Sequence, residues 1–138
     1  MAITFRWCPL SDNSTRNRIG LFLREEAKLP DYVAGLFDEA RWFKCDEVHI
    51  AEDKGSICGF VSIAANGIGG TGHPTVDTLY VRANQRTKGL GSYLLQESIH
   101  RLSDRCPGSR IHCDLQNSAM ARLVARLPEE LRQKLDIV

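Results

Sequence analysis

Residues Thr75 to Leu102, TVDTLYVRANQRTKGLGSYLLQESIHRL, change period within a single stretch and so dictate a strand, a turn and a helix in immediate succession. Val76, Leu79 and Val81 stand among Thr75, Asp77 and Thr78 with the alternation of a strand, and Arg82 to Lys88 is polar. Leu95, Ile99 and Leu102 then recur at i, i+4, i+7, the spacing of a helix face.

The turn closes on Arg86-Thr87-Lys88-Gly89-Leu90-Gly91. Two glycines at the start of a helix let backbone N–H groups converge where unpaired donors and the positive end of the helix dipole favour an anion. Arg86 and Lys88 add cationic donors, which makes phosphate or pyrophosphate the natural ligand group. No Gly-Lys-Ser/Thr follows, so this is not a Walker loop, and the three-glycine spacing of the dinucleotide fingerprint is missing. A plain turn that needs positive φ is the alternative.

An Arg-x-x-Gly-x-Gly loop between a strand and a helix resembles the acyl-CoA pyrophosphate loop of the GNAT N-acetyltransferase superfamily. Leu79-Tyr80-Val81 before it and Ser92-Tyr93-Leu94-Leu95 after it resemble the strand and helix that flank the loop there. The resemblance implies an α/β (α+β) fold: a mixed, mostly antiparallel central sheet flanked by helices. It also implies acetyl-CoA as cofactor, with Leu79, Tyr80 and Val81 along the pantetheine and Arg86, Thr87, Lys88, Gly89, Leu90, Gly91 and Ser92 around the pyrophosphate.

At 138 residues the chain fits one domain, 1–138, large enough for a core without metal or disulfide support. A formal net charge of +1 argues against a dedicated nucleic-acid binder. The charge is uneven: residues 1–81 hold 8 Lys+Arg against 11 Asp+Glu, and residues 82–138 hold 10 against 6. Under the acyltransferase reading the basic half carries the phosphate loop and the acidic half suits a cationic amine acceptor. Five scattered cysteines without C-x-x-C fit a reducing cytosol and give no metal site. The first residues lack an apolar leader and no stretch has the length of a membrane span, so a cytoplasmic protein with no membrane partner is expected.

In chain order, Ile3 to Cys8 reads as a strand, and Ser11, Asp12 and Ser14 offer caps for a helix with Ile19, Phe22 and Leu23 on one face. Asp31 caps a second helix with Val33, Leu36, Phe37 and Ala40 buried; Trp42 and Phe43 read as core or groove lining. Glu47 to Glu52 and Ile57 to Ala64 flank Asp53-Lys54-Gly55-Ser56 as a β-hairpin. Cys58-Gly59-Phe60-Val61 resembles the family's Gly-Phe/Tyr strand segment. Gly67 to Pro74 is too glycine-rich for regular structure. Arg110 to Leu115 alternates as a strand, parallel to or splayed from the one at residues 75–81 across the helix. Met120, Leu123, Val124 and Leu127 mark a last clear helix opened by Asn117-Ser118, and Pro128 starts a further turn.

Acyl transfer to an amine requires the thioester held beside the nucleophile, a proton removed from the ammonium, and the oxyanion and thiolate stabilised. Asp77, a charge in an apolar strand two residues before the pantetheine segment, is the first candidate base; the competing reading has it pointing to solvent or tying down a neighbouring loop. His112 and Asp114 are weaker options, and Cys113 reads as a small core residue.

The resemblance further implies direct attack without an acyl-enzyme, with Asn117 matching the Asn that opens the last helix. The Tyr that usually follows as general acid falls at Val124, or at Arg132 if Leu131 to Ile137 matches the family's ending, and neither is a tyrosine. The chain stops where the family usually adds two more strands. That shortened C-terminus predicts an open acceptor groove, or one completed by a partner chain in a homodimer. The function implied is acetyl transfer from acetyl-CoA to a primary amine, on a protein lysine or N-terminus or on a small molecule. Two rivals stand beside it: a non-catalytic acyl-CoA-binding or interaction module on the same fold, and a plain α/β domain whose Gly-x-Gly is only a turn.

Overall fold

The computed structural model describes residues 3–28, 44–82, 85, 89–113 and 118–137. Its elements are β1 (Ile3–Pro9), α1 (Asn13–Glu26), β2 (Glu47–Asp53), β3 (Ser56–Ala64), β4 (Thr75–Val81), α2 (Leu90–Arg105), β5 (Ile111–Cys113), α3 (Ser118–Ala125), α4 (Glu129–Arg132) and β6 (Leu135–Ile137). The helix expected from Asp31, together with Trp42 and Phe43, lies outside the described residues.

Local chemistry sets the boundaries. Asp12 caps α1, accepting from Ser14 N at 3.1 Å and Thr15 Oγ1 at 3.0 Å. The β2–β3 hairpin turns at Lys54 and Gly55, with φ of 52° and 81°, the pair of positive values that matches the twist of the two strands. The glycine-rich connection before β4 holds one 3-10 turn, Ile68–Gly70, where only irregular chain was expected.

The six strands stand in chain order across one sheet. β1 to β4 run antiparallel, and β5 and β6 are each parallel to the strand before. Strand alternation divides the side chains between two layers. Val48, Ile50, Phe60 and Tyr80 pack under α1 with Ile19, Phe22 and Leu23. Ala51, Val61, Ile63, Val76 and Val81 pack under α2 with Leu94, Leu95, Ile99 and Leu102, and Met120, Val124 and Leu127 of the following helix join this layer. Each fully buried leucine or isoleucine in the layer contributes about 1.5–3 kcal/mol.

Beyond the turn expected at Pro128, the chain adds a strand, β6, that its sequence does not announce. Its pairing runs Ile111↔Leu135, His112↔Asp136 and Cys113↔Ile137. Three residues are too few for a period of two to be read, and the strand exists because β5 offers it an edge.

Two features of β4 shape the site. Among the described residues its ladder to β5 pairs Thr75↔His112 and Val76↔Cys113. On its other side the register with β3 slips between Val61 and Ile63, so Ser62 faces both Asp77 and Thr78. This is a β-bulge in mid-strand, a device that bends a strand and re-aims its side chains.

Candidate active site

β4 delivers the chain from this bulge to the start of α2. Ser62 accepts from the Thr78 backbone N at 3.1 Å and so occupies the donor that the bulge would leave unpaired. Asp77 is fully buried, and Thr78 Oγ1 donates to its Oδ2 at 2.8 Å. Cys45 lies against the same carboxylate. Burial, and then the charge of Asp77, pushes its thiol up to about 12, and the thiol is hydrogen-bonded to Ser62 and Asp77. Cys45 therefore stays protonated and supplies a donor, and a buried carboxylate with donors around it remains tolerable. Asp77, Thr78, Ser62 and Cys45 form one polar knot at the bulge.

At the other end of β4, Gly89 caps α2 at φ 77°, ψ 5°, a left-handed conformation that disfavours any residue with a Cβ. The N-cap glycine has no side chain to cap this helix, and the first turn holds no acidic residue. Among the described residues a Cβ at Gly89 would meet nothing within 4 Å. A helix start with a glycine cap and no acidic residue in its first turn fits an anionic group such as a diphosphate.

Gly91 has a different reason. A Cβ there would stand 3.1 Å from Leu123 Cδ1 and 3.7 Å from Val81 Cγ2. The second glycine of the motif lets α3 and β4 close on α2. Gly59 serves a similar end in β3, where a Cβ would meet Tyr80 O at 3.1 Å and Leu94 Cδ1 at 3.4 Å.

The remaining predicted residues fall as follows. Leu79 is half-buried against the α2 layer, Val81 and Leu90 are buried in it, and Ser92 is half-buried in the first turn of α2. Tyr80 turns to the α1 side. Arg86, Thr87, Lys88, Asp114 and Asn117 lie outside the described residues. Val124, at the position where the resemblance would put a tyrosine, is core. Arg132 is exposed and donates to Ala125 O at 3.1 Å, closing the end of α3. Tyr93 packs on Phe5 of β1, ring centroids 4.3 Å apart, at the far edge of the sheet from β5.

His112 is half-buried on β5 and stacks on His73, centroids 4.5 Å apart and planes 10° from parallel. Asp136 on β6 stands 3.9 Å from its Nε2 and is also held by Arg110 Nε at 2.6 Å. Cys113 is a fully buried core residue. Among the described residues no group of three or more His, Cys, Asp or Glu is placed to hold a metal ion, and no helix is long and apolar enough to cross a membrane.

Sequence reasoning missed Glu26, whose Oε1 accepts from the Tyr80 hydroxyl at 3.0 Å and whose Oε2 is 3.4 Å from Arg82 Nε. A signal was present: Ile19, Phe22, Leu23 and Glu26 fall at i, i+3, i+4, i+7, which puts a carboxylate on the buried stripe.

Residues 18–127 match the model of the Acetyltransferase (GNAT) family. The fold resembles a ribosomal-protein-alanine N-acetyltransferase from Brucella melitensis biovar Abortus 2308, with a TM-score of 0.61 at 18% identity over 92% of this chain and 91% of the other. It also resembles an aminoglycoside acetyltransferase from an uncultured soil metagenomic sample in complex with sisomicin, with a TM-score of 0.60 at 12% identity over 92% and 88%. A predicted acetyltransferase from Clostridium acetobutylicum, solved with acetyl-CoA, gives 0.58 at 16% identity over 91% and 88%. Among curated proteins no sequence match is found.

Proposed function

The chain belongs to the GNAT acetyltransferase family, and from that premise we propose that it is an acetyl-CoA-dependent N-acetyltransferase acting on a primary amine by direct attack. The observation that carries the reading is the start of α2, where Gly89 caps the helix in a left-handed conformation and the first turn holds no acidic residue, reached directly from the end of β4. A diphosphate at the first-turn N–H groups of α2 and a pantetheine chain along Leu79, Tyr80 and Val81 use the two features together. Arg86, Thr87, Lys88 and Ser92 would add donors around the diphosphate, and Asn117 would contribute from the start of α3. A Clostridium acetobutylicum protein of this fold was solved with acetyl-CoA, which supports the choice of cofactor.

Acetyl-CoA, when bound, supplies the thioester carbonyl that the amine attacks. The chain's own task is to orient the two reactants and to take the ammonium proton. Asp77 is the proton acceptor in this proposal. Its Oδ2 takes the Thr78 hydroxyl, and it sits at the bulge, where β4 changes direction. Being fully buried, it takes the proton through a water. The acceptor is an amine of a protein or of a small molecule. Solved proteins of the same fold are an N-acetyltransferase of ribosomal-protein alanine and an aminoglycoside acetyltransferase.

A second reading, a module that binds acyl-CoA without turnover, is favoured by one observation. Val124 and Arg132 stand where the resemblance puts a tyrosine, and among the described residues the Tyr80 hydroxyl is taken by Glu26 while Tyr93 packs on Phe5 of β1. Calorimetric titration with acetyl-CoA tests the binding common to both. Thiol release with spermidine, tobramycin and peptides bearing a free N-terminus or lysine then separates them: turnover supports the enzyme, and binding without turnover supports the module.

A further inference from the structure

Glu26 is the last residue of α1 and only 3% exposed. Its two oxygens go to residues two apart on the same strand end: the hydroxyl of Tyr80, and Nε of Arg82. Val81, between them, faces the α2 layer. Phe22, one turn earlier on α1, completes the contact. It meets the Tyr80 ring edge-on at 5.7 Å and lies under the Arg82 guanidinium at 5.3 Å. The backbone of Arg82 is fixed as well: its N donates to Cys58 O at 2.8 Å, and its O accepts from Gln85 N at 2.8 Å.

One buried carboxylate thus holds the last aromatic residue of β4 and the first residue of the connection to α2. Leaving Glu26 buried without Arg82 would be costly, and the paired arrangement keeps the guanidinium on the α1 face.

We propose that Glu26 is a positioning residue for the cofactor site, acting through Arg82. It sets where β4 ends and where the connection to α2 begins. The inference rests on the acetyl-CoA reading above, which makes that strand end and that helix start the two contacts of the cofactor. Arg82, tied to Glu26 and Phe22, orients the connection and is not itself a phosphate ligand.

Titration with acetyl-CoA of the wild type, Glu26→Gln, Arg82→Gln and the double variant tests this, with melting temperature followed in each. In Glu26→Gln the amide oxygen still accepts from Tyr80, so the change isolates the pairing with Arg82. Each single variant is expected to weaken binding by about tenfold and the double variant by about the same factor, because residues acting as one unit are not additive. Glu26→Gln leaves no unpaired buried charge, so it reports even if Arg82→Gln, which strips the buried Glu26 of its partner, folds poorly. Unchanged affinity in Glu26→Gln with only a lower melting temperature would reduce Glu26 to a structural role. Tighter binding would make it a mere counter-charge, and multiplicative losses would place it apart from Arg82; each of these overturns the inference. Failure of the wild type to bind acetyl-CoA would instead remove the functional reading beneath it.

Discussion

Gly91 and Leu123 are in contact across the α2–α3 crossing: a Cβ on the glycine would stand 3.1 Å from Leu123 Cδ1 and 3.5 Å from Cδ2. The second glycine of the Gly-x-Gly pair is there for helix packing, while the first is there for backbone conformation. Gly91→Ala sets the strain of that 3.1 Å contact against the roughly 1 kcal/mol by which alanine is favoured over glycine in a helix, so stability is expected to change by no more than about 1 kcal/mol. Its affinity for acetyl-CoA should stay within a factor of two or so of wild type, since Leu123 and not the ligand meets the new methyl. Thermal melts beside calorimetry check both halves.

The ion pairs at the head of β2 predict acid sensitivity. Arg101 Nη2 reaches Glu47 Oε2 at 2.6 Å, and Arg105 contacts Glu47 and, at 3.1 Å, Asp46. Burial alone would raise the Glu47 carboxyl, but its hydrogen bond with Arg101 and the charges of Arg101 and Arg105 bring it below its usual 4.5. A carboxyl depressed on folding contributes stability that is present above 4.5 and is lost as pH falls below it. Arg101→Gln should lower stability at pH 7 by roughly 0.5–1 kcal/mol, a figure that allows for the exposed arginine, and should flatten the loss on acidification. Urea titrations between pH 3 and pH 7, about 4.5 being the pivot, measure the slope.

His49 predicts a second, milder pH effect. It is buried on β2 between Phe5 and Trp7, with ring centroids 5.7 and 4.3 Å away, and neither ring nitrogen has a hydrogen-bond partner among the described residues. Burial lowers it from 6.5, against the opposing charge of Glu97 and with a smaller push from Arg101. The unfolded chain then binds the proton more readily, so stability is full above 6.5 and falls as pH drops through the lowered value. His49→Leu should remove that slope near pH 6; an unchanged slope would assign it to another group.

Asp77→Asn separates chemistry from binding. The amide still accepts from Thr78, so the bulge should persist and acetyl-CoA affinity should hold. Turnover of whatever amine the wild type acetylates should fall by about 10²–10⁴ if the carboxylate takes the proton. Loss of affinity and melting temperature together, without a separate loss of turnover, would make Asp77 a prop for the bulge.

Much of this fold was legible because its periodic stretches are long. The stripe of Leu95, Ile99 and Leu102 and the alternation through Val76 and Val81 placed α2 and β4, and Lys54-Gly55 placed the hairpin. β6 was not legible, because three residues carry no period and its pairing with β5 is a tertiary event. The phosphate loop was readable as a motif, yet the two roles of its glycines were not, since Leu123 lies far along the chain from Gly91. The knot of Cys45, Ser62, Asp77 and Thr78 depends on a register slip that no local pattern signals. Glu26 was readable and overlooked: a carboxylate on the stripe of Ile19, Phe22 and Leu23 is a buried charge that needs partners.

The most direct measurement is calorimetric titration of acetyl-CoA into the wild type and into Gly89→Asp, with circular dichroism confirming that both are folded. The account predicts micromolar binding by the wild type, with a Kd on the order of 1–100 μM, and its loss in the variant, where a carboxylate stands at the N-terminus of α2. No heat with the wild type, or equal affinity in a folded Gly89→Asp, would contradict it and leave the glycine cap as a turn without a ligand.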